Sequence, residues 1–330
     1  MNDSRIFIQI ASYRDPELLP TIRCCIANAR HPENLTFGIC WQKDETESLA
    51  EFASDPRFRI IEVPWNKSRG VCWARSLTQK LWENEPFTLQ LDSHHRFALN
   101  WDDELLSMFY AVNRPKAIIT AYAGVYTLPD KWKPDEPPYK IQAVKFCDHN
   151  GVLMCVPSVI SEYQTLLGPI PARFISGHFL FAPGQFCQEC QYDPNLYFSG
   201  EEISLSARAF TMGYDLFHPQ KTVIWHEYTR YGRTKHWDDF QAENKDSGVV
   251  DRQWWEMDRD SKTHLRRLLR GDGNAGEFGF GTARPLADYE NYAGVDFKRL
   301  ALTADARMGK TPCLIPKSGL VSNQTTTGKL

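Results

Sequence analysis

From Ile6 to Ala121 the chain alternates two hydrophobic patterns. Compact apolar runs at Ile6–Ala11, Thr36–Trp41, Phe58–Val63, Phe87–Leu91 and Ala117–Ala121 have the length and composition of buried strands. Between them, amphipathic spacing predicts helices from Asp15-Pro16-Glu17 to about Ala29, over Glu45–Ala53, over Val71–Trp82 and over Trp101–Val112. Asp-Pro-Glu reads as a helix opening, with Pro in the first turn. Alternating strand and helix imply parallel βαβ units, hence an α/β fold built on a doubly wound, mostly parallel sheet with flanking helices. In such sheets ligands bind beyond the carboxyl ends of the strands.

The second half is less regular. Pro129, Pro134, Pro137 and Pro138, mixed with charge, predict a surface loop between Leu128 and Tyr139. A mixed β region follows at Ile141–Phe146, Gly151–Val156 and Phe174–Ala182, then a helix within Ser199–Met212 stopped by Gly213, and a last strand at Thr222–Trp225. After His226 the character changes. Arg230–His236 is basic, Arg252–Arg270 reads as a long charged helix, Gly271–Gly281 as loop, Leu286–Ala293 as a short helix, and the last twenty residues as frayed. The expected division is a catalytic domain over residues 1–235 and a C-terminal helical and loop extension over 236–330 packed on it.

The most informative segment is Leu89-Gln90-Leu91-Asp92-Ser93-His94, an apolar run ending in a carboxylate and an imidazole two residues apart. Residues i and i+2 of extended chain point the same way, so Asp92 and His94 can face one ligand. A divalent cation that must also hold a diphosphate takes oxygen or nitrogen ligands with positions left open. The inert alternative is Asp92 capping a turn. His95 and Arg96 offer phosphate contacts. Trp225-His226-Glu227-Tyr228 closes the last strand, and His226 would complete a metal set with Asp92 and His94.

Three further segments carry candidate chemistry. In Ala11-Ser12-Tyr13-Arg14-Asp15, Tyr13 can stack on a base and Arg14 can pair a phosphate, or Asp15 simply caps a helix. Lys67-Ser68-Arg69-Gly70 precedes the helix bearing Arg75; Gly70 admits an anion to a helix N-terminus, or the segment is a solvated turn. Ser199-Gly200-Glu201-Glu202 opens a helix, where carboxylates complement the dipole or reach into a cleft to hold sugar or acceptor hydroxyls.

Composition narrows the classes. A net charge of −3 gives no general affinity for nucleic acid or anionic membrane, and no run approaches a membrane span. The start lacks the apolar segment of a signal peptide. Nine scattered cysteines, two of them adjacent at Cys24-Cys25, argue against a disulfide framework and for a reducing cytoplasm. Cys187 and Cys190 form a lone CxxC, short of the four ligands of structural zinc. Aromatics at 13% suit carbohydrate faces and a large core equally.

In order, Ile10–Glu17, Cys72-Trp73-Ala74-Arg75, Leu91–His94 with Arg96-Phe97, Gly200-Glu201-Glu202 with Arg208, Gly213-Tyr214-Asp215, His226-Glu227-Tyr228, Lys235–Asp238 and Tyr289–Phe297 resemble one family. It is that of the cytoplasmic polypeptide α-N-acetylglucosaminyltransferases, typified by the enzymes that modify hydroxyproline on Skp1, with bacterial members. The chain is more distantly similar to mucin-type polypeptide GalNAc-transferases. The resemblance spans nearly the whole chain. It implies a GT-A fold, a UDP-sugar donor (UDP-GlcNAc first), Mn²⁺ or another divalent cation such as Mg²⁺, retention at the anomeric carbon, and a protein or peptide acceptor. It also implies Asp92, His94 and His226 as metal ligands, and Ser12, Tyr13, Arg14, Arg69, Arg75 and Ser93 around the nucleotide. Glu201, Glu202 and Arg75 fall at the reacting sugar. Another UDP-sugar, a glycan or small-molecule acceptor, and an inactive sugar-nucleotide-binding module are the alternatives.

Overall fold

The computed structural model describes residues 3–147, 151–230, 232–272 and 276–314. The chain runs through β1 (Ile6–Tyr13), α1 (Leu18–Asn28), β2 (Leu35–Lys43), β3 (Phe58–Pro64), α2 (Val71–Gln79), β4 (Phe87–Leu91), β5 (His95–Phe97), α3 (Trp101–Val112) and β6 (Ala117–Thr120). It continues through β7 (Gly124–Thr127), β8 (Lys131–Trp132), β9 (Tyr139–Phe146), β10 (Leu153–Val159), β11 (Ile170–Pro171) and β12 (Phe179–Pro183). Then come α4 (Phe186–Glu189), α5 (Glu201–Thr211), β13 (Asp215–His218), β14 (Ile224–His226), α6 (His236–Asp239), α7 (Ala242–Asp246), α8 (Trp254–Arg270) and α9 (Leu286–Ala293).

Eight strands form the main sheet, in the order β11-β13-β6-β12-β4-β1-β2-β3. Neighbours are parallel except that β12 runs against both β4 and β6, and β11 against β13. The expected mostly parallel α/β sheet is thus present. Strand β4 is buried along its whole length, as a central strand covered on both faces must be. Leu89 and Leu91 are fully buried there, each contributing about 2 kcal/mol by leaving water. The reversal of β12 has a local consequence: residues just before it lie beside residues just after β4. A smaller sheet, β5-β14-β7-β8, stands at that same end.

Some expectations need correction. Glu45–Ala53 is not a helix; only Ala50–Phe52 makes a single 3-10 turn. Side chains there bond the backbone locally, Thr46 N–H to Asp44 and Ala50 N–H to Ser48, which competes with helical pairing. The expected strand over Phe174–Ala182 begins only at Phe179. The short strands β5 and β13 were not anticipated. Helix α8 matches the long charged helix and starts in a capping box between Gln253 and Glu256. The tail beyond residue 314 and the middle of the glycine loop lie outside the described residues. Among the described residues, no helix is long and apolar enough to cross a membrane.

Candidate functional site

Strand β4 ends at Leu91, and Asp92-Ser93-His94 is a bend that carries the chain from the large sheet into β5 of the small one. Asp92 and His94 still converge, by this bend rather than by strand alternation. His226, the last residue of β14, meets them: candidate ligand atoms of the three all lie within 4.8 Å of one another. Asp92 Oδ2 is 3.4 Å from His226 Nε2 and 3.7 Å from His94 Nε2. Burial alone would push the Asp92 carboxyl up. Contact with His226, Arg75 and His94 reverses this and holds it well below the usual carboxylate range. Burial, with His178 and His94 nearby, pushes His226 well below the ordinary imidazole value. One carboxylate and two imidazole nitrogens form a donor set that suits Mn²⁺ better than the oxygen-seeking Mg²⁺.

Behind these three side chains stands a charged network. His94 Nδ1 lies 2.7 Å from Asp15 Oδ2, which fixes the ring with Nε2 toward the cleft. The same Asp15 oxygen accepts from the Ser93 hydroxyl at 2.7 Å and from Arg233 at 3.2 Å. Arg233 in turn donates to the Glu227 carboxylate at 2.6 Å. Glu227 also accepts from the backbone N–H groups of Thr229 and Arg230, folding the chain that leaves His226 back toward Asp15.

The opposite wall is the first turn of α5. Arg75, buried on α2, donates to Asp92 at 2.6 Å and to Glu201 at 2.7 Å, so one guanidinium ties the two walls together. Burial works against its charge, yet Glu201, Tyr192 and Asp92 hold its pKa well above the ordinary value. Glu202 accepts the Gly177 N–H at 2.8 Å. Burial raises Glu201, and it raises Glu202 to about 7. Gly200 caps this helix at φ 94°, where a side chain would strike Leu265 of α8. Gly70 likewise caps α2 at φ 99°, pressed against the Tyr197 ring.

Between the walls lies a cleft of 560 Å³. Tyr13, Gly70, Arg75, Asp92, Ser93, His94, Glu201, Glu202 and His226 all line it. Tyr13 donates its hydroxyl to Asp239 and sits 5.0 Å, ring to ring, from His236. The other expected nucleotide contacts lie elsewhere. Ser12 is buried behind the lining, Arg69 is exposed beside Trp73, and Arg14 pairs with Asp44 and Asp239. His95 and Arg96 do not reach the cleft: His95 is buried in β5, and Arg96 pairs with Glu17 and Asp130.

Sequence reasoning missed His178. Its ring packs 4.5 Å from that of His226 and stacks on Tyr122. Its Nε2 accepts the Ala123 N–H, its Nδ1 faces the Ser176 hydroxyl, and burial lowers it to about 4. The signal for it was its place just before β12, legible only once β12 is known to run against β4. Asp15 and Arg233 were missed as a pair because 218 positions separate them.

The family described as glycosyltransferase (GlcNAc) matches residues 5–55 and 50–299. No curated protein matches the chain significantly. Among solved structures, GalNAc-T7 with UDP, GalNAc and Mn²⁺ superposes on 87% of this chain at 16% identity and a TM-score of 0.56. The chain covers 54% of that protein, about half its length. A fragment of S. aureus TarS in complex with UDP-GlcNAc matches 81% of this chain and 73% of its own, at 11% identity and a TM-score of 0.44. The likeness to GalNAc-T7 is one of fold, the mixed α/β arrangement of GT-A glycosyltransferases.

Proposed function

Because the chain belongs to the GlcNAc glycosyltransferase family, we propose that it is a metal-dependent, retaining enzyme that moves a sugar, GlcNAc first, from a UDP-sugar to a hydroxyl of a polypeptide. The observation that carries this reading is the meeting of Asp92, His94 and His226 on one side of a cleft whose other side presents Glu201 and Glu202. The family match is broader than the Skp1-modifying branch that the motifs resemble, so the identity of the acceptor protein is no part of the proposal. The UDP complexes of GalNAc-T7 and TarS belong to those proteins; here they make UDP the first nucleotide to test.

In this reading Asp92, His94 and His226 would hold Mn²⁺ or a similar ion, whose positive charge would offset the negative charge of the departing diphosphate. Asp15 keeps His94 in the tautomer that leaves Nε2 free, and Arg75 keeps Asp92 ionised. Arg230 and Lys235, both lining the cleft, supply further positive charge to the phosphates. Tyr13 and His236 form the aromatic end of the cleft for the base. Burial makes Glu202 keep its proton more strongly than a free carboxylate does, so its fitting role is a hydrogen bond to a sugar or acceptor hydroxyl rather than covalent attack. The acceptor hydroxyl then attacks from the face that UDP leaves, passing its proton to a phosphate oxygen.

The test is UDP release from a panel of UDP-sugars with Mn²⁺, compared between the unmodified chain and Asp92→Ala. The expected result is fastest release from UDP-GlcNAc and a loss of about a hundredfold or more in the variant, the scale of one strong electrostatic contact. Equal rates in the two proteins would remove the metal assignment. No release from any UDP-sugar would favour an inactive binding module.

A further inference from the structure

Away from the cleft, the outer face of α8 carries a stripe of cations. Arg259, Lys262, Arg266 and Arg270 recur at intervals of three or four residues, and Arg267 flanks them. They line a groove of 490 Å³ on a chain whose net charge is −3. Asp258 and Asp272 stand near the two ends of this stripe. Asp258 pairs with Lys262 at 2.5 Å, and Arg259 with Asp260 at 3.2 Å. Arg267 and Arg270 make no ion pair among the described residues, and Arg270 Nε is buried without a hydrogen-bond partner there. A half-buried guanidinium in that condition favours an anion that can reach it.

The helix that carries the groove also backs the wall of the cleft. The opposite face of α8 packs Leu265 against Gly200, the cap of the helix bearing Glu201 and Glu202. A side chain at Gly151 would lie 3.9 Å from the Arg266 backbone, and the next residue, Val152, lines the cleft. The groove and the cleft thus lie on two sides of one helix-backed wall.

We propose that the groove on α8 docks an acidic segment of the polypeptide acceptor. From Arg259 to Arg270 the helix rises roughly 16 Å at 1.5 Å per residue. An extended segment of about five residues covers that length at roughly 3.3 Å each. Asp258 and Asp272 at the ends disfavour a long uniform polyanion such as nucleic acid, which would have to run past both. A short run of Asp and Glu fits between them. The inference rests on the polypeptide acceptor proposed above, and it adds a chemical class to that acceptor.

The experiment uses the full chain and fluorescein-labelled hexaglutamate, read by anisotropy and by mass-spectrometric footprinting with the arginine reagent phenylglyoxal. The expected results are binding that weakens with salt, and protection of Arg267 and Arg270 by the peptide. Binding should fall about tenfold or more in an Arg267→Glu/Arg270→Glu double variant, with Mn²⁺-dependent UDP-GlcNAc hydrolysis unchanged. Undiminished binding by the double variant overturns the proposal. So does absent protection in the unmodified chain, a readout that needs no variant to fold. Tighter binding of a single-stranded DNA oligonucleotide, or of phosphatidylglycerol vesicles, than of hexaglutamate also overturns it. If the unmodified chain hydrolyses no UDP-sugar, the enzyme reading fails, and the footprint alone decides the groove.

Discussion

The two walls of the cleft handle buried charge in opposite ways. On the Asp92 side, every carboxylate has a cationic or imidazole neighbour, and Asp15 and Asp92 both sit below the usual range. On the α5 side, Glu201 and Glu202 are adjacent, share the reach of Arg75, and retain protons more strongly than free carboxylates do. The first wall gathers an ionised carboxylate and two imidazoles at a fixed place. The second is organised to exchange hydrogen bonds, and its state varies with pH. Arg75 joins them, so the contrast depends on one side chain.

Removing that side chain is the most severe way to break the contrast. Arg75→Ala leaves partly buried Asp92 and Glu201 without their shared, buried cation and should cost about 3 kcal/mol of stability, measured by urea unfolding. Next comes Glu202. Its folded pKa of about 7 lies above the ordinary 4.5, so between those values the folded state keeps a proton that the unfolded state has lost. Stability should fall as pH rises across that window, by on the order of 3 kcal/mol, and level off above it. Glu202→Gln should flatten the slope; identical urea midpoints against pH in both proteins would remove Glu202 as its source.

Smaller effects sharpen the Asp92 side. Asp15→Asn keeps the size of the side chain but weakens the bond that orients His94. Mn²⁺ affinity, followed by titration calorimetry, should drop about 10- to 100-fold. An unchanged affinity would make Asp15 a helix-opening residue only, through its bond to the Glu17 N–H. The smallest change expected is outside both walls. His264 of α8 donates to buried Asp193 at 2.6 Å, and Asp193 keeps its bonds to Asn195 when the imidazole is gone. His264→Ala should therefore cost only about 1 kcal/mol, read by thermal unfolding.

The sequence was most legible where periodicity and burial agree. β1, β2, β4 and α3 lie close to the segments read from their apolar runs, because each is largely covered by its neighbours and has little polar competition; β3 matches its run as a partly exposed edge strand. Glu45–Ala53 shows the limit: its spacing fits a helix, but Asp44, Thr46 and Ser48 offer the backbone nearer partners. β5, a strand of His95, Arg96 and Phe97, has no apolar run at all and exists because β14 pairs with it. The candidate site divides along the same line. Asp92 and His94 could be picked out locally, since a buried strand stops at them, whereas His226, at the end of another strand, was a weaker local signal that the family resemblance strengthened. His178, Asp15 and Arg233 are set by strand order and by long-range pairing, which no local pattern encodes.

The bend at Asp92–His94 joins two sheets, and His226 belongs to the second of them. An ion shared by these three side chains would therefore act as a rivet across the seam between the two sheets. Loading with metal and resistance to shear at that seam would then be one property seen from two sides. A bound ion would add stability to the joint in proportion to its own occupancy.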